Sequence, residues 1–138
     1  MEGDQHNAAT TFSVLIVDDE EFVADYFSDL LLSRGCTTTV FYDSMAALDN
    51  FKSSINHYDL VLSDICMPNM DGEQLAKNIL NIRPDMPIVL CSGYTPYTGQ
   101  KKLQEMGVKD FLPKPIESAR LLDIVEELRS AWSKNTLV

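Results

Sequence analysis

Five residues of this 138-residue sequence could do chemistry together: the adjacent acids Asp18 and Asp19, the later Asp64, the hydroxyl of Ser92 and the ammonium of Lys114. Asp18 and Asp19 begin the acidic run "DDEE", which follows the apolar "VLIV" with no gap. Carboxylates packed this densely repel one another at neutral pH unless a helix N-terminus, a metal ion or solvent compensates them. If Asp18, Asp19 and Asp64 meet in space, they raise one another's pKa values until a cation neutralises them. All-oxygen ligation suits a hard ion. Mg²⁺ in particular needs only a couple of carboxylates, its shell being completed by water and phosphate oxygens. Such an ion beside a carboxylate, a lysine and a hydroxyl is equipped for phosphoryl transfer. The ion and Lys114 would offset charge on the phosphoryl oxygens, and a carboxylate would be the nucleophile.

Each residue also has a plainer role open to it. Asp18 or Asp19 can cap a helix, and Glu20 and Glu21 suit a first helical turn, where acids favour the macrodipole. Asp64 can belong to the turn-rich "MPNMDG" that follows it. Ser92, before Gly93, can bond backbone in a loop, and Lys114 in "LPKP" can be a solvated surface lysine. Whether these residues act together depends on the elements that carry them.

Short runs that are continuously apolar or β-branched recur at Val14–Val17, 37–42 ("TTTVFY"), Leu60–Leu62, Ile88–Cys91 and Val108–Leu112, as expected of strands buried on both faces. Between them lie stripes at helical spacing. Phe22/Val23, Tyr26/Phe27 and Leu30/Leu31 form the first, stopped by Gly35; Met45, Leu48, Phe51 and Ile55 form the second. Leu75, Ile79 and Ile82 form the third, closed by Pro84, and Leu121, Ile124/Val125, Leu128 and Trp132 form the last. The stretch from Tyr97 to Met106 carries the thinnest stripe, diluted by Gly99.

Five strands alternating with five helices predict an α/β fold: a single doubly wound domain with a parallel sheet covered on both faces. Ligands of such sheets sit beyond the C-terminal ends of the strands. Asp18 and Asp19 follow strand one, Asp64 strand three, Ser92 strand four and Lys114 strand five, so all five fall at that edge. Tyr42-Asp43-Ser44, after strand two, reads as an ordinary helix cap.

Composition narrows the classes. The chain is 45% apolar and 23% charged, ordinary for a folded domain of this size. Its net charge of −10 argues against direct nucleic-acid binding, which needs a basic footprint. No apolar run reaches the roughly 18 residues of a membrane span. Residues 1–12 read as a flexible leader without a secretory core, 13–133 as the domain, and 134–138 as a tail. Cys36, Cys66 and Cys91 are odd in number and widely spaced, which disfavours a disulfide framework or zinc site and suits a reduced, cytoplasmic setting.

Four motifs occur in order: "VLIVDDE", "DLVLSDICMPNMDG", "IVLCSGYT" and "DFLPKP". With them the sequence resembles the receiver domains of two-component response regulators over about residues 13–130. The resemblance implies a flavodoxin-like (CheY-like) fold of strand order 2-1-3-4-5. It implies Asp64 as phosphoacceptor for a phosphohistidine on a sensor histidine kinase or histidine phosphotransfer protein. It further implies Mg²⁺, with Mn²⁺ an alternative, held by Asp19, Asp64 and the backbone carbonyl of Cys66, with Asp18 acting through water. Lys114 would bond a phosphoryl oxygen, with the Lys114–Pro115 peptide cis. Ser92 would bond another, and Phe111 would be the aromatic switch.

The output face implied is the fourth helix, fifth strand and last helix, including Tyr97, Lys101, Lys102, Glu105, Asp110 and Arg120, a surface that could also serve a homodimer. Ser stands at 92 where Thr is commoner, and Phe at 111 where Tyr is. Cys66 and Tyr94 flank the approach to the phosphate, and neither orients water well, so slow to intermediate autodephosphorylation is expected. Three other functions compete. An aspartyl-nucleophile, Mg²⁺-dependent phosphatase would want an acid where Cys66 stands. A nucleotide- or flavin-binding domain would want a glycine- or hydroxyl-rich loop where "DDEE" stands. A non-phosphorylated interaction module would tolerate loss of a site residue.

Overall fold

The computed structural model describes residues 11–93 and 99–137, with side chains through Ala131. Five strands and five helices alternate: β1 (Ser13–Val17), α1 (Glu21–Leu32), β2 (Thr37–Phe41), α2 (Ser44–Ser53), β3 (Leu60–Asp64), α3 (Gly72–Ile82), β4 (Ile88–Ser92), α4 (Gln100–Met106), β5 (Asp110–Pro113) and α5 (Ser118–Leu137). All neighbouring strands pair in parallel, in the order β2-β1-β3-β4-β5.

Side chains alternate along a strand, so each strand feeds two cores. Leu15 and Val17 of β1, Val61 of β3, and Ile88 and Leu90 of β4 pack with Ala47 and Phe51 of α2, Leu75 and Ile79 of α3, and Leu103 of α4. Val14 and Ile16, Leu60 and Leu62, Val89, Cys91 and Leu112 pack with Ala24, Phe27 and Leu31 of α1 and Leu121, Ile124 and Val125 of α5. Three helices thus cover one face and two the other. β1, β3 and β4 are buried along their whole lengths, and this is why they read as unbroken apolar runs.

Local signals bound the helices, the cap before α2 as expected from sequence. Asp43 accepts the Ala46 N–H at the start of α2. Asp71 and Gln74 form a reciprocal capping box on α3. Gly107 closes α4 in the left-handed region that glycine adopts without a steric cost.

Some sequence expectations are corrected. Phe22 and Tyr26 are not core residues; they are 93% and 50% exposed, and the small Ala24 and Ser28 take the buried positions. Ser28 fits there because its hydroxyl bonds that of Thr38 on β2 at 2.6 Å. Met45 and Ile55 are also largely exposed, and Ile55 lies beyond the end of α2. Phe12, read as leader, is 1% exposed and joins the core under α1 and α5, where the Arg129 guanidinium lies 6.0 Å from its ring centre. The last helix runs to Leu137, past the boundary set at 133. Tyr94, Tyr97 and the Trp132 side chain lie outside the described residues.

Candidate functional site

The strand parity that builds the α1/α5 core also builds the site. Asp18 continues the parity of Val14 and Ile16, Asp64 that of Leu60 and Leu62, and Lys114 that of Leu112. Their side chains converge beyond the C-terminal ends of β1, β3 and β5. Lys114 Nζ lies 2.8 Å from Asp18 Oδ2, 3.3 Å from Asp64 Oδ1 and 3.5 Å from Glu20 Oε1. Asp18 is buried, its Oδ1 accepting the Glu20 N–H at 2.9 Å while its own N–H extends the ladder to Phe41 O at 3.1 Å. The Lys114 N–H bonds Ser92 O at 2.8 Å, and the Lys114–Pro115 peptide is cis, as the resemblance implies.

The electrostatics are those of acids outnumbering their cation. Burial and the neighbouring Asp18 charge push the Asp64 carboxyl up to about 6, against the downward pull of Lys114. Burial alone would lower the Lys114 ammonium, but its hydrogen bond to Asp18 and the charges of Asp18 and Asp64 outweigh that and hold it above the ordinary lysine value. Cys91, beside Asp64 in the sheet, is an inert thiol. Burial raises its pKa strongly, and its Sγ lies 3.4 Å from Ser63 O.

A cleft of about 310 Å³ opens over this group, lined by Asp19, Glu20, Asp64, Cys66, Gly93 and Lys114. Carboxylate oxygens of Asp18, Glu20 and Asp64 all lie within 4.8 Å of one another. These donors are oxygen atoms, negatively charged in excess of their lysine, and fit a hard divalent cation. Asp19, expected as a direct ligand, is exposed and lines the cleft without joining that convergent group. Cys66 is exposed at the rim. Ser92 is buried at the end of β4 and continues the other parity, that of Ile88 and Leu90. Phe111 is half-buried and lines a separate cleft of about 530 Å³ between α4 and β5.

Two residues at the site were not singled out from sequence. Glu20 reaches Lys114. Gly72, the first residue of α3, packs on the backbone of the strand end itself. A Cβ there would stand 2.2 Å from Asp64 O and 2.7 Å from Ile65 Cα, closer than atoms can approach. The Gly72 N–H bonds Ile65 O at 2.8 Å, and Ser44 Oγ bonds Met70 O at 2.6 Å, so the loop carrying Cys66 is tied at both ends. In the sequence Gly72 reads as the last residue of the turn-rich "MPNMDG", which hides its closer packing role.

This sheet order and this edge define an α/β domain with an acidic pocket at the C-terminal ends of its strands. Residues 14–126 match the family described as the response regulator receiver domain, and the chain belongs to that family, the receivers of two-component signalling systems. It is 30% identical over 119 residues to the chemotaxis protein CheY of Bacillus subtilis, covering 83% of this chain and 94% of that one. It is 34% identical over 112 residues to the response regulator FleR of Pseudomonas aeruginosa, covering 81% of this chain but 23% of FleR. The chain therefore spans less than a quarter of the length of that longer relative. Among solved structures, a receiver domain from Clostridium thermocellum superposes with TM-score 0.83 at 23% identity, over 92% of this chain and 99% of that one, and shares the fold. CheY in a CheX–CheY–BeF3–Mg²⁺ complex from Borrelia burgdorferi superposes with TM-score 0.78 at 29% identity, over 85% and 88%. No helix among the described residues is long and apolar enough to cross a membrane.

Proposed function

We propose that this domain accepts a phosphoryl group on Asp64 from a phosphohistidine of a sensor histidine kinase or histidine phosphotransfer protein. The observation carrying this reading is the Asp64 carboxylate at the floor of a solvent-open cleft, 3.3 Å from the Lys114 ammonium and within 4.8 Å of further carboxylate oxygens. In the step, an Asp64 oxygen bonds to phosphorus as the bond from phosphorus to the imidazole nitrogen breaks, and the imidazole keeps the electron pair. Lys114 moves an N–H from a carboxylate to a phosphoryl oxygen, and Ser92 bonds another. Mg²⁺, when bound, supplies charge compensation for the phosphoryl oxygens. Asp19, Asp64 and the Cys66 carbonyl would hold it directly, and Asp18 would hold it through water.

The phosphodonor has a surface to dock on. Phe22, Tyr26, Pro115 and Ile116 line an apolar groove of about 570 Å³, and Lys114 borders both this groove and the phosphoacceptor cleft. A partner seated there is within reach of Asp64, and a fully exposed phenylalanine beside a polar site is characteristic of an interaction surface. Phosphorylation then shifts the population of the face formed by α4, β5 and α5, with Phe111 as the switch, toward a form that binds a downstream protein.

Incubation with Mg²⁺ and acetyl phosphate is expected to give a phosphoryl adduct that disappears in Asp64→Asn. Catalytic turnover of phosphate esters, or an undiminished adduct in that variant, would overturn the reading. Cys66→Asn is expected to hasten loss of phosphate, since an amide can orient attacking water where a thiol cannot.

A further inference from the structure

Glu20 occupies the place of a helix-capping acid but does not cap. It is the backbone N-cap of α1, yet its side chain accepts no N–H from the helix. Capping is the ordinary reason for an acid there. Its Oε1 instead lies 3.5 Å from Lys114 Nζ, although the side chain is 66% exposed. An ammonium has three N–H donors. That of Lys114 faces three carboxylates, Asp18 at 2.8 Å, Asp64 at 3.3 Å and Glu20 at 3.5 Å. Asp18 and Asp64 are buried and held by the ends of their strands. Glu20 stands at the mouth, lining the same cleft as Asp64 and Lys114.

We propose that Glu20 is a specificity-determining residue of the phosphoacceptor site: it holds a fixed negative charge at the mouth, competes with the incoming phosphoryl group for Lys114, and disfavours free anionic phosphodonors relative to a docked protein donor. This rests on the reading of Asp64 as phosphoacceptor. With a small donor, the Asp64 oxygen bonds to phosphorus as the bond from phosphorus to the leaving oxygen or nitrogen breaks. The leaving group keeps the electron pair. Lys114 must then turn one N–H to a phosphoryl oxygen. Its contact to Glu20 is the longest of the three and the most solvated, so it is the one released. A small anion diffusing in from water meets the Glu20 charge with no docking contacts to offset that repulsion. A protein donor is held by contacts elsewhere, as along the Phe22 and Tyr26 groove, and the same charge weighs less in its approach.

The test compares the full chain with Glu20→Gln, Glu20→Asp and Asp64→Asn, using acetyl phosphate, a dianion at neutral pH, and phosphoramidate, which carries less net negative charge. Glu20→Gln is expected to raise the second-order rate with acetyl phosphate by about three- to tenfold at low salt, less with phosphoramidate, and less again at high salt. Glu20→Asp keeps the charge and stays near the parent rate. An unchanged or slower rate, or an equal gain with both donors, overturns the proposal. So does a rise in the Mg²⁺ concentration needed for half-maximal rate in Glu20→Gln, which would make Glu20 a cation ligand. Undiminished adduct in Asp64→Asn would instead sink the underlying assignment of Asp64, whatever Glu20 does.

Discussion

At the N-terminal end of the sheet, Arg83 gives Nη1 to Tyr58 O at 2.7 Å and Ile55 O at 3.1 Å, and its Nε pairs with Asp85 at 3.3 Å. Asp59 there accepts the Ser13 N–H at 2.8 Å. At the C-terminal end, Lys114 faces Asp18, Asp64 and Glu20, with Asp19 close by on the same cleft. The charges at the first end close backbone groups that would otherwise be orphaned by the turns between helix and strand. Those at the second end are spent on one another, and acids outnumber the cation. One end is finished by folding, whereas the other keeps an excess of negative charge around a single ammonium.

That contrast can be broken most forcefully at Lys114. Lys114→Met leaves Asp18 and Asp64 buried without their cation, and should cost the metal-free protein about 3–5 kcal/mol in denaturant unfolding. Millimolar Mg²⁺ should recover much of it. Arg83→Ala, at the other end, should cost about 1–3 kcal/mol through the carbonyls it abandons, and Mg²⁺ should recover none. Equal rescue of both variants would erase the distinction.

Acid provides a smaller probe. Asp64 titrates near 6 in the folded chain against 3.8 as its ordinary value. A folded pKa above the unfolded one means that the folded state holds the proton more tightly, so its ionised form weakens the fold at neutral pH. The metal-free protein should therefore gain about 2 kcal/mol from this group as pH falls from 7 toward 4, with the gain levelling off below about pH 3. Mg²⁺ should flatten that slope by favouring the ionised carboxylate. Melting temperatures across pH should lose this share of the slope in Asp64→Asn. Burial raises Asp59 as well, so a residual slope of the same sign should persist.

The smallest expected effect is on stability in Phe22→Ala, within about 0.5 kcal/mol because the ring is almost wholly exposed. Transfer from a phosphohistidine-bearing protein should slow in the same variant while acetyl phosphate works unchanged. A large loss of stability would return Phe22 to the core.

The strands, their order of succession and the edge where chemistry gathers were legible because β1, β3 and β4 are buried on both faces and so are written as apolar runs. The face of α1 was not. Periodicity assigns burial to the largest apolar residues, whereas close packing on the sheet selected Ala24 and Ser28 and left two aromatic rings outside. Asp18, Asp64 and Lys114 could be placed because strand ends fix them. Glu20 escaped because its type and position fully satisfy a helix start, and only the direction of its side chain shows otherwise. Gly72 escaped because its need is a close approach between segments, which no local pattern records.

Gly72 also determines what can act as a reference within the domain. Residue 72 and the carbonyl of residue 64 leave no room between them for even one carbon, and Ser44 fastens the far end of the same loop to α2. The strand end bearing Asp64 therefore behaves like the fixed jaw of a calliper. A change in size or charge at its carboxylate cannot be absorbed by that jaw sliding back. Any displacement driven from that carboxylate would be read on the opposite side of the cleft, against a stationary zero.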